Sequence, residues 1–145
     1  LSSIASAVSW THVPFVDRFE LLPYYAACDA VVIPSFYDGM PNVLLEAGAL
    51  GVPSVASTAG GMAALLTGGE NGLTFPPGDV HECRRALVEL AGLPLEALRR
   101  MGERLRATIL RDFHHEAEAS RYVKLLTETT GRTLRPATAN AHTES

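Results

Sequence analysis

At 145 residues the chain has the size of one ordinary domain, and 47% apolar against 19% charged residues describes a globular body rather than a disordered one. A formal charge of −4, with acids and bases interspersed, argues against nucleic acid as a partner, because phosphate backbones call for a basic stripe. No apolar run approaches the roughly 18 residues that would cross a bilayer, and the opening residues carry no signal-peptide pattern.

Short apolar runs alternate with helical patterns along the chain. Trp10 to Val13 reads as a first strand, followed by a helix over Glu20 to Cys28 and a strand over Ala30 to Pro34. A helix over Pro41 to Leu50, a strand over Pro53 to Ser57, a short helix over Gly61 to Leu66 and a strand over Gly72 to Phe75 come next. The run Ala30-Val31-Val32-Ile33 is apolar without alternation, as in strands covered on both faces. The order predicts an α/β fold, a Rossmann-like parallel sheet with flanking helices. Asp79 with Glu82 spells a capping box, opening a helix to Ala91 whose inward face is Val80, Cys83, Leu87 and Leu90. Pro94 opens the next helix, where Leu98, Met101, Leu105 and Ile109 recur at spacings of three and four. A last helix is expected over His115 to Thr129, with Tyr122, Val123 and Leu126 inward. The polar residues from Gly131 read as a disordered tail, so that 1–130 is the domain and 131–145 the tail. Cys28 and Cys83 are too far apart for a metal or redox motif and are expected as small buried apolar groups in a reducing compartment. None of the five histidines has metal-ligand spacing.

Chemistry concentrates in Pro34-Ser35-Phe36-Tyr37-Asp38-Gly39-Met40-Pro41-Asn42-Val43-Leu44-Leu45-Glu46-Ala47, a strand end, a glycine turn and a helix start. In open α/β sheets ligands bind at the carboxyl ends of strands, where helix N-termini present free amides. Gly39 lets the backbone approach a ligand, and the amides of Asn42, Val43 and Leu44 are candidates to hold a diphosphate. Carboxylates flanking an anion site are poor phosphate ligands, so Asp38 and Glu46 suit hydroxyls of a sugar and a ribose. Taken alone, Glu46 could be a solvated helix charge and Asp38 a turn residue.

The frame around this segment is more specific. Tyr24-Tyr25-Ala26-Ala27-Cys28-Asp29 precedes it, and Gly51-Val52-Pro53-Ser54-Val55-Ala56-Ser57, Gly60-Gly61, Glu70-Asn71-Gly72-Leu73 and Pro76-Pro77-Gly78-Asp79 follow. With Asp38-x7-Glu46 between Pro-Ser and Glu-Ala, this series resembles the E-x7-E signature of the retaining GT-B glycosyltransferases of family 4, over residues 10 to 129. The likeness is to the donor-binding C-terminal domain. It implies that Glu46 binds the donor ribose, that Asp38 holds hydroxyls of the transferred sugar with help from Gly39, Met40, Pro41 and Asn42, and that Phe15-Val16-Asp17 lies beside the base. It further implies transfer with retention from a nucleotide-diphospho-sugar to a saccharide or lipid-linked acceptor, with no cofactor and no metal. The chain departs from the pattern at Asp38, where glutamate is commoner, at Ala64, where Gly-Gly-x-x-Glu has its acid, and at Pro14, a usual glycine.

The resemblance also implies what is lacking. Such domains open with two more strands, carrying a Gly-Arg and a later lysine that neutralise the diphosphate as charge develops. No such pair is found here, and the chain opens on Leu1 rather than methionine. In the strand order 3-2-1-4-5-6 the missing strands fall between Trp10–Val13 and Ala30–Pro34. The expectation is a fragment inactive alone, needing an N-terminal acceptor domain or a partner chain. The alternative is a non-catalytic, donor-binding subunit of a split enzyme. A nicotinamide oxidoreductase fits poorly for want of the glycine fingerprint, and a serine hydrolase for want of the G-x-S-x-G elbow. The location expected is cytoplasmic. The arginines at 99, 100, 104, 106 and 111 read as a solvated face, with rest on the inner face of an anionic membrane left open.

Overall fold

Three of the apolar runs become strands, β1 (Val31–Ile33), β2 (Ser54–Ser57) and β3 (Leu73–Phe75), in a computed structural model that describes residues 9–113, 123–125 and 127–128. They pair in parallel in the order β1-β2-β3, with Val32 opposite Val55 and Ala56 opposite Thr74. β1 stops at Pro34 because proline has no amide to continue a ladder. Parallel neighbours need crossovers, and α2 (Asn42–Ala49) and α3 (Met62–Leu65) supply them. Before the sheet stands α1 (Arg18–Ala27); after it come α4 (Val80–Gly92) and α5 (Leu95–Asp112). This is the α/β architecture expected from the alternation of runs.

β2 is buried along its whole length and sorts the core by alternation. Val55 enters a cluster with Leu73, Phe75, Ala86 and Leu90 under α4, and Ala56 one with Ile33, Leu44, Met62 and Leu65 under α2 and α3. α5 serves both clusters, giving Met101 to the first and Leu105 and Ile109 to the second. It lies against α2 at Gly48, where an added Cβ would come within 2.9 Å of Leu105 Cγ. A third cluster, Tyr25, Ala47 and Val52, sits beneath α1.

Several expectations need correction. Trp10–Val13 is not a strand: residues 9–17 have no regular structure, and Trp10 is 77% exposed. An isolated strand has no ladder to join, so its apolar residues gain nothing from extension. Cys28 is exposed at the end of α1 and Cys83 only half-buried, so neither is a core residue. On α4 the inward line is Cys83, Ala86 and Leu90, while Val80 is 77% and Leu87 36% exposed. Asp79 does cap α4, its Oδ1 accepting from the Glu82 amide at 2.9 Å, but the Glu82 carboxylate pairs with Arg85 at 2.6 Å instead of closing the box. Positions 123–125 and 127–128 are helical; Tyr122, Leu126 and the 131–145 tail lie outside the described residues.

Candidate functional site

The turn after β1 and the turn after β2 meet at the carboxyl end of the sheet. Ser57 Oγ, at the end of β2, donates to the Ser35 carbonyl at 2.6 Å and accepts from the Ala59 amide. The Gly61 amide then donates to the Gly39 carbonyl. Gly60 has φ +53°, and a Cβ there would collide with the Asp38 carbonyl. The Gly60-Gly61 pair is thus dictated by the turn that carries Asp38. At Gly39 an added Cβ would meet nothing within 4 Å, and φ is not positive, so the fold itself makes no demand for glycine there.

Pro41 is buried and caps α2, and the Leu44 amide donates back to its carbonyl at 3.0 Å. The Leu44 side chain is fully buried, so this residue is engaged at both ends. Asn42 and Val43, by contrast, have amides with no intrachain acceptor among the described residues. Met40 is half-buried against the core and Val43 packs toward α1. Asp38 is half-buried, and its carboxylate has no hydrogen-bond or ion-pair partner among the described residues.

Glu46 faces the other way, toward α1. Its side chain is 11% exposed and its Oε1 lies 2.7 Å from Arg18 Nε, whose own side chain is 71% exposed. The Tyr25 hydroxyl is buried beside the Glu46 carboxylate, with no partner at close hydrogen-bond geometry among the described residues. Burial first, and then the neighbouring Glu46 carboxylate, push the Tyr25 phenol above its ordinary pKa. Asp17 is the N-cap of α1: its Oδ1 accepts from the Phe19 amide at 2.9 Å, and Glu20 reaches back to the Asp17 amide. Val16, beside it, is half-buried.

The backbone of Asp38 therefore lies against the β2 turn before α2 begins, and Glu46 projects from α2 toward α1. Arg18 and Tyr25 had no assigned role in the sequence reading. The signal was present in Asp17-x-x-Glu20, a capping box that starts α1 at Arg18 and sets Arg18 and Tyr25 seven apart on one face. Of the five arginines of α5, four are used within the fold: Arg106 on the Ala49 carbonyl, Arg104 on the Glu70 carbonyl, Arg100 on Glu96 and Arg111 on Asp112. Among the described residues no helix is long and apolar enough to cross a membrane.

Comparison with known proteins supplies the context. The family model described as glycosyl transferases group 1 matches residues 2–92. The lipopolysaccharide core biosynthesis glycosyltransferase LpsE of Rhizobium meliloti is 34% identical over 105 residues, 72% of this chain and 30% of that protein. The glycogen synthase of Mycobacterium tuberculosis is 36% identical over 88 residues, 61% of this chain and 21% of the enzyme. Among solved structures, a sucrose-phosphate synthase from Thermosynechococcus elongatus superposes with a TM-score of 0.73 at 30% identity, covering 83% of this chain and 30% of that one. The Anabaena protein HepE in complex with UDP-glucose gives 0.65 at 25% identity, covering 74% and 30%. The chain thus spans about a third or less of the length of these proteins.

Proposed function

Because the chain belongs to the glycosyl transferases group 1 family, we propose that its β1–α2 segment forms part of the donor site of a retaining, nucleotide-sugar-dependent glycosyltransferase. The observation that carries this reading is the division of labour around the start of α2. Two amides without an intrachain acceptor among the described residues, of Asn42 and Val43, lie in the chain between Asp38, whose carboxylate has no partner among those residues, and Glu46, which reaches toward α1. Amides at a helix N-terminus suit the diphosphate, and flanking carboxylates suit hydroxyls at its two ends. Glu46 accepts from the ribose, and Asp38 from the sugar. Gly39, which packing leaves unconstrained, lets the donor approach the backbone. Leu44 then serves the core rather than the donor, and Asp17 acts by starting α1.

HepE, whose structure holds UDP-glucose, supports a nucleotide-diphospho-sugar as the donor class. The acceptor would be a saccharide or a lipid-linked saccharide, met by a part of the enzyme outside this segment. In the transfer an acceptor oxygen bonds to the anomeric carbon as the bond to the diphosphate breaks, and the leaving phosphate takes the acceptor's proton. The free cysteines Cys28 and Cys83 fit the reducing, cytoplasmic setting expected from the sequence.

Ligand-detected NMR on this chain with UDP-, GDP-, ADP- and TDP-sugars tests the reading. Saturation transfer from one nucleotide, weakened about tenfold or more in Glu46→Ala, is expected from the loss of hydrogen bonds to a charged group. Binding that is indifferent to Glu46 would sink it.

A further inference from the structure

Resting on the donor-site reading above, we infer that Arg18 is a positioning residue of that site. It pairs with Glu46 and fixes the carboxylate in one pose, ready to accept from the hydroxyls of the donor nucleoside.

Two features of Arg18 are not explained by α1 itself. It is the first residue of the helix, where unsatisfied amides carry positive partial charge and an acid is favoured over a cation. Its side chain is 71% exposed, so it adds little to the packing of α1 on α2. What the position provides is reach to the neighbouring helix, for the guanidinium Nε stands 2.7 Å from Glu46 Oε1. The backbone that presents it is anchored, because Asp17 and Glu20 close a capping box at the start of α1. Among the described residues no other cation pairs with Glu46.

Glu46 needs such an anchor more than a surface glutamate does. Its side chain is 11% exposed, and a carboxylate largely withdrawn from water is costly without a charge beside it. Exposed ion pairs are weak because both ends must be ordered; here the Glu46 end is already buried and the Arg18 backbone already capped. A carboxylate that had to be ordered at the moment of binding would lower affinity about two- to tenfold. The pair is made at Oε1, and a carboxylate has four lone-pair sites, so capacity remains for two vicinal hydroxyls. Glu46 follows Asn42 by four residues and Val43 by three, on the same side of α2, and helical side chains lean toward the N-terminus. The fixed carboxylate therefore lies about one turn from the two amides without an intrachain acceptor, which lets one ligand meet an anion site and a hydroxyl acceptor together.

Three measurements on the full 145-residue chain test this. Without ligand, the side-chain couplings of Glu46 should report a single χ1 rotamer in the wild type, an average over rotamers in Arg18→Ala, and a return toward one in Arg18→Lys. A single rotamer in a folded Arg18→Ala chain overturns the inference. With UDP as the probe at roughly 0.15 M salt, where the field of an exposed charge is screened, Arg18→Ala should weaken binding about fivefold. The same substitution should change binding of a UDP analogue lacking both ribose hydroxyls by less than about twofold, since that ligand brings no hydroxyl to Glu46. Equal losses with the two ligands would put Arg18 on the diphosphate or in the fold, and overturn the inference. Adding Arg18→Ala to Glu46→Ala should cost nothing further; an added loss overturns it as well. Should Glu46→Ala itself bind UDP as well as wild type does, the donor-site reading falls instead, and the rotamer measurement still decides whether Arg18 fixes the carboxylate.

Discussion

Asp38 and Gly60 show how a residue far away in sequence can govern a candidate binding group. Asp38 belongs to the turn after β1, and its carbonyl fills the space where any side chain at position 60 would begin. Gly60→Ala should therefore do more than strain a positive φ. It must push the Asp38 turn outward, for a combined cost of about 2–4 kcal/mol from overpacking and backbone strain. A urea midpoint lowered to match that loss of stability, with Asp38 backbone resonances displaced, is the expected result; a midpoint within error of wild type would show that the turns are not in contact. The acid pair itself was legible from the sequence, since Asp38-x7-Glu46 is a spacing within one strand-turn-helix unit. The partners of the pair were not. The capping box sets Arg18 and Tyr25 on one face of α1, but they reach Glu46 only because α1 packs beside α2, and which helix a face meets leaves no local pattern to read.

At the scale of elements, caps and crossovers carried more information than apolar runs did. Both aspartates that precede helices, Asp17 and Asp79, sit at N-caps with Glu three residues later, although only Asp17 and Glu20 bond in both directions. Loss of either cap should cost about 1 kcal/mol. The consequences differ, because α1 carries Arg18 at its first position and α4 carries no residue of the candidate site. Asp17→Ala is expected to fray α1 and weaken the Arg18–Glu46 pair, raising amide hydrogen exchange at 18–21; Asp79→Ala should lower the urea midpoint alone. Equal exchange at 18–21 in both variants would count against a distinct role for the Asp17 cap. Trp10–Val13 was misread for a physical reason. Its residues have high strand propensity, but propensity acts only where a neighbouring strand accepts the backbone bonds. On α4 the spacing of apolar residues was visible, yet Val80 at the first turn overhangs the sheet's end and remains in water.

The whole molecule is tied together by its longest helix. α5 reaches both sides of the sheet, so the clusters under α2 and under α4 share one support. Leu105 is fully buried at the α2 crossing, and Leu105→Ala should cost about 2–5 kcal/mol as a cavity opens there. Since Met101 lies one turn away on the same helix, unfolding is expected to remain a single transition, seen alike by helix signals from α2 and α4 in hydrogen exchange. Two separated transitions would show that the clusters are independent. Trp10, the chain's one tryptophan, is exposed in the segment before α1, so its fluorescence is a poor reporter of this core and circular dichroism the better probe.

The meeting of the two strand-end turns has a consequence for anyone who would alter what the chain recognises. Residues 38–40 look like a short loop open to free variation, and a mutational library would naturally start there. Yet the Gly39 carbonyl is already claimed by the Gly61 amide, and Gly60 holds no spare volume against Asp38. A side chain at 60 or 61, or a new backbone path through 38–40, is viable only in company with a change on the other side, although Gly39 alone has room for a side chain. The unit of diversification, and of inheritance between divergent relatives, is therefore a pair of loops some twenty positions apart in the sequence. Libraries that randomise 38–40 and 60–61 together should yield folded variants that separate randomisation of either never reaches.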